Sequence, residues 1–167
     1  MFAAVFAAYL FALLHFTGAG TLHDALRFGF DLNPHQISLI PFVGLSEDIE
    51  GHLLNILLFV PFGLIMPMIS GRRQGALPVV AMATATSLII EVSQLLNSRV
   101  TDVDDLLMNA IGALIGYCVF RLIDQKSKNQ SGKPTRMAIA VAIIAAAFLG
   151  RFFLYDEMGL AKVLFGF

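Results

Sequence analysis

The chain has one cysteine, few charged residues and no excess of basic charge, and each shortage excludes a class of protein. Cys118 is the single cysteine among 167 residues, so an intramolecular disulfide cannot form. The formal net charge of −1 gives no reason to expect nucleic acid as a partner. Charged residues make up 14% of the chain against 57% hydrophobic residues, which is far from the composition of a soluble domain. We therefore expect an integral membrane protein.

The beginning of the chain lacks the basic residues that open a cleaved signal peptide. Met1, Phe2 and Ala3 stand there instead. We expect the first apolar segment to be retained as a membrane helix. A length of 167 residues leaves room for a single membrane domain over residues 1–167 and for no separate soluble domain.

Five apolar segments set the fold class. A helix needs roughly 17–25 apolar residues to cross the hydrocarbon layer. The first segment is short, and we expect it to extend to Ala19, giving a span over residues 2–19. The sequence thus predicts an all-α, polytopic transmembrane helix bundle of about five spans. The segments are Phe2–Phe16, Leu53–Ile69, Ala76–Leu96, Leu106–Ile123 and Met137–Tyr155.

The distribution of charge predicts the direction of the spans. Two short connections, residues 71–75 and 121–136, hold seven of the 11 cationic side chains and one acid, Asp124. Cationic loops of this length stay in the cytoplasm. The N-terminus is then cytoplasmic and the C-terminus extracytoplasmic. Nearly all the other acids fall on the outer side.

The stretch from Thr17 to Gly51, between the first two spans, is too apolar for a solvated loop. Glycines and prolines break it, so it is not a span. A re-entrant or interfacial outer segment packed on the bundle fits these residues better. Its apolar side chains are Phe28, Phe30, Leu32, Ile37, Leu39, Ile40, Phe42 and Val43.

Three of the predicted spans carry a polar stripe near their outer ends. At about 100° per residue, each stripe falls on one helical face. Polar groups in hydrocarbon need partners, so the stripes should converge and form a cleft that opens outward. The stripes are Asp48, His52, Asn55 and Phe59; Thr84, Ser87, Glu91, Gln94 and Ser98; and Asp102, Asp105, Asn109, Gly112 and Gly116.

This cleft supplies the predicted site. Glu91 leads the candidates because it lies deepest and has no basic neighbour on its own helix. Arg99 is expected to pair with Glu91 or Asp102, since Asp104 faces the other way. The histidines show no spacing that argues for a metal site. The predicted substrate-binding residues are Asn55, Glu91, Gln94, Arg99, Asp102, Asp105 and Asn109, and the candidates for acid or base chemistry are Glu91, Asp102, Asp105 and His52.

Each of these residues also has a purely structural interpretation. The acids at 102–105 follow Thr101, which would serve as N-cap of a helix whose dipole stabilises carboxylates in its first turn. Asn55, Gln94 and Asn109 would then be interhelical hydrogen-bonding groups. Gly112-x-x-x-Gly116 is typical of a close-packing helix face.

A weak internal repeat connects the second and fourth spans. The stretch from Asp48 to Asn55 aligns with the stretch from Asp102 to Asn109, so that aspartate and asparagine recur at the same spacing. Both stretches begin a span that runs from outside to inside. A duplication would therefore relate two parallel helices.

Several motifs stand in a specific order between residues 33 and 120. Ser38–Phe42 comes first, then Asn55–Gly63 (NILLFVPFG), then Glu91–Gln94 (EVSQ), and then Arg99-x-x-Asp102-x-x-Asp105-x-x-x-Asn109-x-x-Gly112-x-x-x-Gly116-Tyr117. In this order they resemble the VanZ-like family of bacterial membrane proteins, which is named after a determinant of resistance to the glycopeptide antibiotic teicoplanin. In this family an Asn is usual where Ser38 stands. The resemblance implies an integral protein of the bacterial cytoplasmic membrane and cell envelope.

Three functions remain open on these residues. The first is a protein that binds or modifies a membrane lipid or a lipid-linked cell-wall precursor in the outward cleft. The second is an enzyme, in which the carboxylates and His52 act as acids and bases or hold Mg²⁺ or Ca²⁺ as part of a hydrolase or transferase. The third is a small transporter or flippase, which would need a homo-oligomer for alternating access. The sequence identifies no cofactor.

Overall fold

The computed structural model describes residues 1–29, 37–38, 40–42, 48–70, 75–97, 101–124 and 137–156. These residues are mainly helical, which confirms the all-α fold class. Two-residue strands β1 (Ile37–Ser38) and β2 (Thr101–Asp102) pair in parallel. The helices are α1 (Phe2–Phe16), α2 (Leu22–Phe28), α3 (Ile49–Ser70), α4 (Ala76–Gln94), α5 (Val103–Asp124) and α6 (Met137–Leu154), and a 3₁₀ turn, Leu95–Asn97, extends α4.

Four helices are long and apolar enough to cross a membrane. Helices α3, α4 with its 3₁₀ turn, and α5 are each 22 residues long, and α6 has 18. Helix α1 has 15 residues. At 1.5 Å per residue it measures about 22 Å, which is shorter than a hydrocarbon layer of about 30 Å. In the described part of the chain, four helices are therefore long enough to span a membrane, and α1 is a shorter apolar helix.

The prediction that the first helix extends to Ala19 is wrong, because Gly18 ends it. The N–H of Gly18 donates to the carbonyl of His15 at 3.1 Å, and that of Ala19 donates to the carbonyl of Leu14 at 3.1 Å. This pair of bonds is the Schellman motif, and Gly18 takes the positive φ of 66° that the motif requires. The chain then turns towards α2.

Helix α1 and the four long helices alternate in direction. The end of α1 meets the end of α6, where Tyr155 lies 3.3 Å from His15. It also meets the end of α4, where Gln94 donates to Thr17. The beginning of α5 lies at the same place, because the Asp102 N–H donates to Glu91. We call this end of the bundle, where α3 and α5 begin and α1, α4 and α6 finish, the polar end.

Helices α3 and α5 pack closely in parallel, with glycines at the contact. A Cβ on Gly112 would strike the backbone of Ile56, and one on Gly116 would strike that of Val60. Gly63 on α3 faces the α5 backbone at Ala113 in the same way. The interpretation of Gly112 and Gly116 as a close-packing face is confirmed, and this contact fixes the separation of the two helices that begin at the polar end.

In the described part of the outer segment, Ala19 and Ala25 are buried, but several larger apolar side chains are exposed. Helix α2 starts with a capping box between Thr21 and Asp24. Ile37, Ile40 and Phe42 are 45%, 69% and 57% exposed. The expectation that these three are buried against the bundle is therefore wrong. Of the remaining apolar side chains, Phe28, Phe30, Leu32, Leu39 and Val43 fall outside what the structure describes.

Candidate functional site

The two helices that begin at the polar end start in the same way. Asp48 precedes α3, and its Oδ1 accepts a hydrogen bond from the Gly51 N–H at 3.0 Å. Asp102 precedes α5, and its Oδ1 accepts from the Asp104 N–H at 3.0 Å. Each aspartate is thus an N-cap. The prediction of Thr101 as N-cap is wrong, because Thr101 belongs to β2, one residue before the cap.

Glu91 connects the end of α4 to the beginning of α5. Its side chain is 4% exposed, and its Oε2 accepts from the backbone N–H of Asp102 at 3.3 Å. Asp102 and Asp105 both lie within electrostatic range of the Glu91 carboxylate. The structure therefore brings together three of the four candidates for acid or base chemistry. The side-chain amides of Asn55, Gln94 and Asn109 donate to Asp105, to the carbonyl of Thr17 and to Ser87, respectively.

Asp105 is held by Asn55 across the α3–α5 contact. The Asn55 Nδ2 donates to the Asp105 Oδ1 at 2.5 Å. His52 lies one turn before Asn55 on α3 and within electrostatic range of Asp105. Its side chain is buried, and among the described residues neither ring nitrogen has a hydrogen-bond partner. Buried polar groups nearly always form hydrogen bonds, so two buried ring nitrogens without a partner are unusual.

Asn109 and Ser87 form a polar contact deeper in the bundle than these carboxylates. The Asn109 Nδ2 donates to the Ser87 Oγ at 2.7 Å, and both side chains are buried. This bond ties α5 to α4 about two turns inside the polar end. It is the interhelical contact that the structural interpretation of Asn109 predicts.

Gln94 takes part in a different arrangement, around the turn that follows α1. Its Nε2 donates to the carbonyl of Thr17 at 2.7 Å. Asn97 donates to the carbonyl of Gly18 at 2.9 Å, and Arg151 donates to that of Ala19 at 3.1 Å. Three consecutive carbonyls left without helical partners are thus satisfied by side chains from α4, its 3₁₀ turn and α6. Any contact of Gln94 with a substrate stays a prediction.

Asp104 anchors the outer segment. It is 1% exposed, and both of its carboxylate oxygens accept from the Phe42 N–H, at 3.0 and 2.9 Å. Phe42 has a φ of 68°, a strained conformation for a residue with a side chain. The interpretation of Asp104 as structural thus holds, although the carboxylate binds a distant turn and not its own helix end.

Two arginines bear on the site: Arg99 is a predicted site residue, and Arg151 is not. Arg99 lies outside the described residues, so its expected pairing with Glu91 or Asp102 stays a prediction. Arg151 on α6 does not figure in the predicted site, yet it is 3% exposed. A charged residue inside an apolar span is a functional candidate by default, and that signal was present in the sequence.

The arrangement is rich in hydrogen-bond acceptors. Glu91, Asp102 and Asp105 lie near one another with His52 beside them, which suits a ligand that carries hydrogen-bond donors. His52 and Asp105 also lie within electrostatic range of one another, so one ligand can contact both. Among the described residues, no three His, Cys, Asp or Glu side chains are placed to hold a metal ion.

A family model of known proteins matches the part of the chain that holds the candidate site. The family model described as VanZ/LLP1 matches residues 2–124. The matched region runs from α1 to the end of α5 and includes every predicted site residue, whereas α6 lies beyond it. No match is found among curated proteins or among solved structures. Since the match covers well over half of the sequence, the chain belongs to the VanZ/LLP1 family of membrane proteins.

Proposed function

We propose that the protein binds the head group of a membrane lipid or of a lipid-linked cell-wall precursor at the polar end of the bundle. The observation that carries this proposal is the state of His52. Both of its ring nitrogens are buried without a partner among the described residues, beside the Asp105 carboxylate. A buried polar group without a partner costs about 1–3 kcal/mol, and a bound head group would supply the missing hydrogen bonds.

The acceptors around His52 define the chemistry of that head group. Asn55 holds the Asp105 carboxylate, Glu91 lies near the end of α4, and Asp102 caps the beginning of α5. Carboxylates accept hydrogen bonds and attract positive charge. The preferred ligand is therefore a head group with hydroxyl or amine groups, such as those of sugar- or amino-acid-bearing lipids.

The exposed apolar residues of the outer segment support a ligand that also has a hydrocarbon part. Ile37, Ile40 and Phe42 belong to the same end of the molecule, because β1 pairs with β2 and Asp104 holds Phe42. Apolar side chains exposed beside a polar cleft suit the boundary between head groups and acyl chains. A lipid can then occupy the cleft from the membrane without crossing water.

The orientation of the molecule follows from its loops. We infer a cytoplasmic N-terminus and an extracytoplasmic C-terminus in the bacterial cytoplasmic membrane, because the helix ends that the cationic connections join lie opposite the polar end. The cleft then opens to the side where cell-wall precursors are used. Binding of such precursors is the property that would connect the protein with resistance to teicoplanin.

A second candidate function uses the same residues in catalysis. His52 and Asp105 lie within electrostatic range of one another, so they would act as acid and base on the same bound head group in a transfer or hydrolysis. Turnover of a bound lipid, lost in both His52→Gln and Asp105→Asn, would distinguish catalysis from binding.

The proposal is tested by the lipids that remain with the purified protein. Wild-type protein, Asp105→Asn and a control, Glu50→Gln, would be purified in the same mild detergent and their bound lipids identified by mass spectrometry. Glu50 is an exposed acid in the first turn of α3, so it matches the charge change without belonging to the cleft. We expect one lipid class to be depleted in Asp105→Asn alone. Equal lipid content in all three proteins would overturn the proposal.

A further inference from the structure

Helix α6 carries a buried cationic side chain that is short of hydrogen-bond partners among the described residues. The buried residues of α6 are Ala140, Ile144 and Arg151. The Arg151 Nη2 donates to the carbonyl of Ala19, and the guanidinium lies 4.6 Å from the centre of the Tyr155 ring. Among the described residues, Nε and Nη1 have no partner and no carboxylate forms an ion pair with Arg151.

This side chain borders a groove between α1 and α6. The groove has a volume of about 540 Å³ and is almost wholly apolar. Ala7 and Phe11 line it from α1, and Ile143, Ala147 and Gly150 line it from α6, with Arg151 and Tyr155 at its polar end. A long apolar groove that ends at a cation matches a molecule with a hydrocarbon chain and an anionic head.

We propose that this groove binds an anionic phospholipid of the surrounding membrane, with an acyl chain along α1 and α6 and the phosphate on Arg151. An uncompensated guanidinium in a membrane bundle is costly, and a phosphate offers it charge and a bidentate hydrogen-bonding geometry. Basic pockets between transmembrane helices hold lipid head groups for the same reason.

Tyr155 controls access to the cation. Its ring covers the guanidinium, and its hydroxyl lies 3.3 Å from the His15 Nδ1. Tyr155 follows the last residue of α6, so its side chain can turn aside without disturbing the helix. The phosphate then takes the place of the ring against Nε and Nη1.

This site is separate from the cleft of the proposed function. It uses α1 and α6, whereas the cleft uses α3, α4 and α5. The family match ends at residue 124, so Arg151 and the rest of α6 lie outside the matched region. The lipid site is therefore inferred from this chain alone.

Binding would be measured on the full-length, delipidated protein in detergent by native mass spectrometry. Phosphatidylglycerol, phosphatidylcholine with the same acyl chains, and inorganic phosphate are the three probes. We expect phosphatidylglycerol to bind at least about ten times more tightly than phosphatidylcholine, which corresponds to 1.4 kcal/mol. Inorganic phosphate should not compete, because it cannot fill the groove.

Two variants distinguish binding of the lipid phosphate from binding of the acyl chain. Arg151→Gln should lose the preference for phosphatidylglycerol, whereas Arg121→Gln, an exposed cation on α5, should keep it. Gly150→Leu should weaken the binding of both lipids by filling the groove, and a Cβ at Gly150 meets no atom within 4 Å, so the variant should fold. If Arg151→Gln fails to fold, Gly150→Leu decides.

Three results would overturn the proposal that the groove binds an anionic phospholipid. Unchanged phosphatidylglycerol binding in Gly150→Leu, or equal binding of the two lipids by the wild-type protein, would overturn the proposal. So would a dimer that dissociates in Gly150→Leu, because a second copy would then occupy the groove. Asp105→Asn should leave phosphatidylglycerol binding intact, so failure here is distinguishable from failure of the cleft.

Discussion

The side-chain amide of Asn55 donates a 2.5 Å hydrogen bond to the carboxylate of Asp105, across the contact between α3 and α5. Each residue follows its helix's capping aspartate, by seven positions for Asn55 and three for Asp105. The close glycine contacts between the two helices set the distance that this bond requires. The bond therefore joins the packing of the bundle to the geometry of the proposed cleft.

Removing either partner should show that the two residues are coupled. Interhelical hydrogen bonds in membranes contribute about 0.6–2 kcal/mol. We expect a double-mutant cycle of Asn55→Ala and Asp105→Ala, measured by unfolding in mixed detergents, to give a coupling free energy in this range. Strictly additive effects would show that the bond does not stabilise the bundle.

Glu91→Gln should separate binding from stability. The amide oxygen of glutamine can still accept the hydrogen bond from the Asp102 N–H, so thermal stability should stay near that of the wild type. The negative charge is lost, so we expect lipid binding in the cleft to be abolished.

Asp102→Ala tests the structural alternative, because it removes the cap of α5 and should cost about 1 kcal/mol of stability. Full lipid binding by a well-folded Glu91→Gln protein would reduce Glu91 to a structural connection between α4 and α5.

Much of the fold follows from hydropathy and charge, while its contacts do not. The four long spans were predictable because each is a long apolar stretch. Their beginnings were misplaced, since α3 starts at Ile49 and α5 at Val103, directly after capping aspartates that hydropathy does not register. The end of α1 was missed because it depends on the positive φ of Gly18.

The candidate site was predicted as a set of residues but not as a set of bonds. Helical periodicity gives the face on which a side chain lies. On that basis Glu91 and Asp105 were predicted to face the same cleft, and the two lie within electrostatic range of one another. Periodicity does not give distances, so it could not show that the Gln94 amide donates to the carbonyl of Thr17. The role of Arg151 depends on the carbonyl of Ala19, which is 132 positions away in sequence.

A matched pair of glycine variants tests the α3–α5 contact. Gly112→Ala places a methyl group against the backbone of Ile56, whereas Gly150→Ala meets open space. Overpacking costs about 1–3 kcal/mol. We expect Gly112→Ala to lower the unfolding free energy by that amount and Gly150→Ala to leave it nearly unchanged. Equal stability of the two variants would mean that α3 and α5 are not closely packed.

Cysteine labelling tests the orientation in the membrane. In a Cys118→Ser background, single cysteines at positions 74 and 129 should resist a membrane-impermeant thiol reagent in intact cells, and those at 101 and 160 should react. Permeabilised cells provide the control, since all four should then be accessible. Labelling at position 129 in intact cells would reverse the inferred topology.

The central claim is that His52 and Asp105 bind a lipid head group, and ring-nitrogen NMR of protein with ¹⁵N-labelled histidine tests it most directly. The His52 signals are assigned by their loss in His52→Gln. Adding a polar lipid extract of a bacterial cytoplasmic membrane to the delipidated protein should shift at least one His52 ring nitrogen, because it gains a hydrogen bond. The same addition should leave those signals unmoved in Asp105→Asn. His52 signals that stay unchanged in the wild-type protein at saturating lipid would contradict the account.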